Sequence, residues 1–134
     1  DADLSHNPKE LIPMLSLLQH DTDLIIGSRY IKGVNVVIWP LSRVLLSYFA
    51  SVYVRLITGM PIKDSTAGFV GYRRNVLESI DLDQVKFVGY AFQIEMTVLC
   101  LIANLNIVEI PITFNERREG NSKTTCHIMN LTKC

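Results

Sequence analysis

Two carboxylates open the chain: Asp1 and Asp3 in "DADLS" flank a single small residue. Such a D-x-D pair suits a hard divalent cation, Mg²⁺ or Mn²⁺, bridging protein carboxylates and substrate phosphates. The stretch also begins like a calcium loop. That loop needs glycine at its sixth position and a carboxylate at its twelfth, where this chain has His6 and Ile12. A phosphatase of the D-x-D-x-T type needs threonine where Ser5 stands. The metal pair and an acidic helix start, where Asp complements the helix dipole, both stay open on spacing alone.

Cations and hydroxyls form the second group. Arg29 in "GSRY" follows an apolar run, and Arg43 and Ser47 in "WPLSRVLLS" are spaced to share one face of a helix. Leu46, Phe49, Ala50 and Val54 fall in or beside that stripe. An arginine and a hydroxyl set in an apolar stripe can grip a phosphate that carries a greasy tail. The competing reading is an arginine snorkelling from the edge of a core. "NERREGNSK" (115–123) combines cationic side chains with Gly, Asn and Ser, which suits a loop closing over a diphosphate, with a solvated charged loop as the default reading. Glu95 falls inside the apolar stripe of "YAFQIEMTVLCLI", so it is expected to be partly buried and paired with Arg73 or Arg74. "DSTAGF" (64–69) has the composition of a tight turn before a strand.

These residues need elements to hold them. Asn7, Pro8 and Glu10 form a helix start of the capping-box kind, and Pro13 places the helix proper at 14–19. "DLIIGS" (23–28) reads as a buried strand ending in a glycine turn. A helix is expected over 40–58, with proline at its start and Gly59 past its end. "GFVGYRR" is expected to be a strand whose glycines allow a close approach. A second long helix covers 90–105, and a strand covers 107–114 with Pro111 at an edge or end. This alternation indicates a layered α/β domain.

Composition narrows the class. With 49% apolar residues in 134, the chain can bury a core and is not disordered. Thirteen Lys+Arg against 13 Asp+Glu leave no global attraction to nucleic acid, so no nucleic-acid partner is expected. Cys100, Cys126 and Cys134 lack metal-type spacing and read as reduced thiols in a cytosolic setting. The apolar region 34–57 is interrupted by Pro40, Arg43 and Ser47, so it is expected to lie on a membrane rather than cross one.

The order of the motifs carries more than any one of them. "DADLSHNP", "DLIIGSRYIKG", "WPLSRVLLSYFASVYVRLITGMPIKDSTAGFVGYRR", "GYAFQIEM" and "VEIPITFNERREGNSK" together resemble the polyprenol-phosphate (dolichol-phosphate) mannosyltransferases, inverting family-2 glycosyltransferases of A-type fold. The resemblance covers residues 1–123 and leaves 124–134 as an irregular tail. It implies a Rossmann-like mixed sheet flanked by helices, of which this chain is the C-terminal, acceptor-side portion. The family's nucleotide-binding βα units precede the D-x-D pair, so the isolated piece is expected to be inactive and to fold poorly.

By the same resemblance, Asp1 and Asp3 are the metal ligands, with Mg²⁺ or Mn²⁺ as cofactor. Ser5 stands where some members place a glutamine. Arg29, Arg43 and Ser47 match the positions that hold the acceptor phosphate. Asp1, Asp3, Arg117 and Lys123 match the donor-diphosphate side, with Asp3 and Arg117 nearest the chemistry. The implied reaction moves mannose from GDP-mannose to a polyprenyl or dolichyl phosphate with inversion, at the cytoplasmic face of a membrane. A glucose or N-acetylglucosamine donor, and a non-catalytic membrane- or partner-binding role, are the alternatives.

Overall fold

The computed structural model describes residues 6–31, 36–37 and 40–115. Asp1, Asp3, Ser5, Arg117, Lys123 and the tail 124–134 lie outside the described residues.

The centre is strand β1 (Leu24–Ser28), buried along its whole length. It pairs antiparallel with β3 (Val70–Tyr72) and parallel with β4 (Ile107–Pro111), giving the order β3-β1-β4. A separate parallel pair joins β2 (Val36–Val37) to β5 (Phe114–Asn115). A strand buried on both faces has no polar side to alternate with, which is why "LIIGS" reads as a continuous apolar run. Leu24 and Ile26 enter one core cluster with Val70, Tyr72 and Ile107 of the neighbouring strands. Helix α4 (Tyr90–Ile102) covers that cluster through Ile94, Val98, Cys100 and Leu101, and α2 (Leu41–Thr58) adds Val54. Helix α1 (Leu11–Gln19) sits over the opposite face, where Leu18 and Met14 approach Gly71.

Several elements differ in detail from the sequence expectation. Helix α1 begins at Leu11, so Pro13 lies in its first turn, where a missing N–H costs no helical bond. Asn7 does cap the preceding short turn by accepting from the Lys9 N–H at 3.0 Å. Glu10 forms no capping box; its carboxylate accepts the Thr113 N–H. Gly27 is a strand residue, not a turn. A Cβ there would come within 2.8 Å of the Phe69 ring and 3.0 Å of Ile112, so the close approach itself demands glycine. Of the glycines in "GFVGYRR", Gly71 fits the expected close approach, whereas Gly68 faces open space.

Helix α2 ends as its sequence indicates, with Gly59 left-handed at φ 68° and donating to the Arg55 carbonyl. Helix α4 stops at Ile102, short of 105, because Asn104 turns left-handed (φ 54°) and Leu105 donates back to the Cys100 carbonyl. The 107–114 strand divides: Pro111 closes edge strand β4, and the chain resumes as β5 at Phe114. The α3 helix (Arg74–Ser79) follows β3 directly and buries Val76.

The expected partners of Glu95 are not the ones found. Its oxygens accept backbone N–H groups of Lys86 and Phe87, tying the segment before α4 to that helix. Arg73 instead donates to the carbonyls of Leu18 and His20 at the end of α1, groups a helix leaves unpaired. Arg74 faces Glu78 one turn along α3, exposed.

Candidate functional site

At the C-terminal end of β1, Ser28 is followed by Arg29 and Tyr30, both buried. The ends of parallel strands are where α/β sheets place ligands, because the loops there leave a crevice. A buried arginine is tolerated only with a partner, and Asp64 supplies it. Arg29 Nε donates to Asp64 Oδ2 and Nη2 to Oδ1, each at 2.7 Å. The Arg29 backbone N–H adds a third bond to Oδ2 at 3.0 Å, and Nη2 also reaches Thr66 Oγ1 at 3.1 Å. Burial would lower the Arg29 pKa, but the hydrogen bond and charge of Asp64 outweigh it and hold the guanidinium firmly protonated.

Asp64 is itself held from β4. Glu109 Oε2 accepts the Lys63 N–H at 3.0 Å and Oε1 the Asp64 N–H at 3.1 Å. "DSTAGF" is therefore more than a turn: it presents the counter-charge of Arg29. The sequence signal was a lone Asp in a turn-like run, and the pairing across the fold gave no local trace.

Helix α2 supplies the second side. Arg43, Ser47, Ser51 and Arg55 recur every four residues, so they line one face, and all four are buried or half-buried. The outward face carries Leu41, Leu45, Leu46, Tyr48, Phe49, Tyr53, Leu56 and Ile57, all exposed. This corrects the expectation of an apolar stripe around Arg43 and Ser47. Leu46, Phe49 and Ala50 point outward, and of the four expected neighbours only Val54 packs inward. The helix is turned inside out relative to an ordinary surface helix. Its 18 residues, at mean hydropathy 1.2, also reach the length and composition of a bilayer span, by those two criteria alone.

Tyr30 joins the two sides. Its hydroxyl donates to Ser47 Oγ at 2.8 Å. Its ring lies 5.4 Å from the Arg29 guanidinium carbon, and the Tyr48 ring meets it edge-on at 5.6 Å. Burial raises the Tyr30 pKa, partly offset by Ser47 and Arg29, so the phenol stays protonated as a donor. Tyr30 is a site residue that sequence reasoning missed, although "GSRY" places it beside Arg29. Thus Arg29, Tyr30, Ser47, Asp64 and Thr66 form one connected cluster, and Arg43 stands one turn before Ser47.

Two further observations concern described residues. His6, which follows the D-x-D stretch, stacks on Phe69 at 4.6 Å and meets Phe114 edge-on at 5.1 Å. The Phe69 carbonyl in turn accepts the Gly27 N–H, so His6 lies beside the end of β1. Among the described residues no group of three His, Cys, Asp or Glu gathers to hold a metal.

Residues 1–81 match Glycosyl transferase family 2. That is more than half of the 134 residues and takes in β1, α2 and the Asp64 turn. The chain belongs to glycosyltransferase family 2. Its mixed sheet with flanking helices agrees with the A-type glycosyltransferase fold. Among curated relatives of this family-2 chain, polyprenol monophosphomannose synthase of Mycolicibacterium smegmatis is 48% identical over 123 residues, covering 92% of the chain and 46% of the relative. Undecaprenyl-phosphate mannosyltransferase of Micrococcus luteus is 44% identical over 123 residues, 92% of the chain and 50% of the relative. Dolichol-phosphate mannosyltransferase of Pyrococcus furiosus is 35% identical over 127 residues, 92% of the chain and 34% of the relative. The chain spans about half the length of the first two relatives.

Proposed function

We propose that this chain is the acceptor-side part of a metal-dependent mannosyltransferase that moves mannose from GDP-mannose to a polyprenyl phosphate, with inversion, at the cytoplasmic face of a membrane. The observation that carries the reading is α2. Its apolar face is turned to the outside while its polar stripe, with Arg43 and Ser47, faces the Arg29–Tyr30 cluster. A lipid phosphate needs both: apolar surface for the bilayer or the prenyl tail, and cations with a hydroxyl for the head. The relatives' names, all of polyprenyl- or dolichyl-phosphate mannose transfer, supply the sugar and the acceptor class.

The chemistry then needs little from a general base, because the acceptor phosphate is already an anion. One of its oxygens attacks the anomeric carbon from the face opposite the nucleotide. The carbon–oxygen bond to the diphosphate breaks, and GDP departs with the electron pair. Arg29, Arg43 and Ser47 hold the attacking phosphate in line. Because Arg29 is charge-paired with Asp64, it adds a fixed donor array rather than a full uncompensated charge. Arg117 and Lys123 act on the donor diphosphate. Asp1 and Asp3, a donor set suited to Mg²⁺ or Mn²⁺, would hold the ion that neutralises the leaving group.

The test uses the intact protein and steady-state kinetics against each substrate. Arg43→Ala is expected to raise KM for polyprenyl phosphate by about tenfold or more, as for a lost charge-assisted bond, while KM for GDP-mannose stays put. Equal losses on both substrates would refute the acceptor role of this face.

A further inference from the structure

We propose that Tyr30 is the positioning residue that makes Ser47 a hydrogen-bond donor to the acceptor phosphate. The inference rests on the reading that Ser47 meets that phosphate. A serine hydroxyl has one proton and two acceptor sites. In the middle of a helix its usual use is to donate back to the carbonyl four residues earlier. Two other hydroxyls of this chain do so: Thr58 donates to the Val54 carbonyl at 2.7 Å and Thr97 to that of Gln93 at 2.8 Å. Ser47 does not. Its Oγ instead lies 2.8 Å from the Tyr30 hydroxyl; the two hydroxyls hold two protons and share one bond, so one proton of the pair has no acceptor among the described residues.

The arrangement has a direction. With an anion against Ser47, Tyr30 gives, Ser47 receives, and the Ser47 proton goes to the anion. A hydroxyl that accepts a hydrogen bond is polarised into a better donor, so the phenol both orients Ser47 and strengthens it. An anion is the natural recipient, since it accepts without offering a competing proton. Tyr30 is well fixed for the task. It is only 8% exposed, its backbone follows directly from β1, and its ring is held beside Arg29 and against Tyr48. The raised phenol pKa keeps the donated proton in place across the neutral range.

Tyr30→Phe removes the phenolic oxygen and nothing else, leaving Ser47 to donate back to its own helix. In the intact protein this is expected to raise KM for polyprenyl phosphate about threefold to tenfold, with kcat at saturating lipid and KM for GDP-mannose unchanged. In a Ser47→Ala background, Tyr30→Phe should have no further effect, which a merely structural role for Tyr30 would not give. If Ser47→Ala raises KM for the lipid but Tyr30→Phe does not, or if the two effects add in full, the positioning role is overturned and the acceptor site stands. If Ser47→Ala itself leaves that KM untouched, Ser47's acceptor role falls and this inference falls with it. Should Tyr30→Phe not fold, global replacement with 3-fluorotyrosine, a stronger donor, is the second probe. It should lower the lipid KM in the wild type and not in Ser47→Ala; an equal response in both overturns the proposal.

Discussion

Replacing Asp64 by asparagine would keep the shape of the side chain and remove its charge beneath a buried arginine. Asp64 is 1% exposed and Arg29 8%, so solvent cannot take over the lost charge. With its oxygen at the Oδ2 position the substituted amide would still accept from the Arg29 backbone N–H and Nε, but it would present N–H groups where Nη2 needs an acceptor. Breaking one side of a buried pair costs about 3–5 kcal/mol, and the surviving bonds place this case at the low end, about 3 kcal/mol. Since about 1.4 kcal/mol is tenfold, the folded-to-unfolded ratio should fall roughly 100-fold. Urea unfolding of the intact protein, followed by circular dichroism, measures the loss directly. Thr66→Val, which removes the 3.1 Å contact from Arg29 and the longer 3.4 Å one to Asp64, should cost about 1 kcal/mol. Adding Arg29→Met to Asp64→Asn should recover part of the loss, because the stranded charge is then gone. A loss below about 1 kcal/mol for Asp64→Asn, or full additivity with Arg29→Met, would refute the claim that these two groups are a buried, mutually dependent pair.

Other consequences are read more simply. The Tyr72 hydroxyl is buried with no partner among the described residues, so Tyr72→Phe should leave stability unchanged or raise it by up to about 1 kcal/mol; a clear loss in the same urea assay would reveal a missed bond. Burial pushes the Tyr72 phenol from 10.0 up to about 12, so above about pH 10 the unfolded chain loses that proton first. Stability should therefore decline as pH rises from about 10 to 12, and Tyr72→Phe should flatten that decline; identical pH profiles would contradict it. Phe49→Glu and Leu56→Glu, at positions 61% and 79% exposed, should each cut sedimentation with liposomes about tenfold without lowering the melting temperature. Undiminished liposome binding would remove the outward face of α2 from any membrane contact.

Much of this fold could be read from local features. Pro40 and Gly59 bracket α2 because each acts through its own backbone, and the apolar run of β1 follows from burial on both faces. Two things could not be read that way. Periodicity shows that Arg43, Ser47, Ser51 and Arg55 share a face, but a period carries no label for inside and outside. The apolar side of α2 faces out, against the usual rule, and only the packing of Val54 and the Tyr30–Ser47 bond fix the direction. Long-range pairing was equally silent. Arg29 finds Asp64 35 positions away, and Glu109 holds the Asp64 turn from 45 positions further on. Glu95 shows the converse error. Its place in an apolar stripe correctly implied partial burial, but backbone N–H groups, which have no sequence signature, satisfied it in place of an arginine.

The central claim is that this chain contributes to mannose transfer onto a lipid phosphate. The most direct measurement incubates the intact protein with radiolabelled GDP-mannose, a polyprenyl phosphate in detergent and Mn²⁺, then counts label extracted into organic solvent. Labelled lipid that forms with the wild type and falls at least about tenfold with Arg43→Ala under subsaturating acceptor would meet the prediction. No labelled lipid from GDP-mannose, or label transferred equally well by Arg43→Ala, would contradict it.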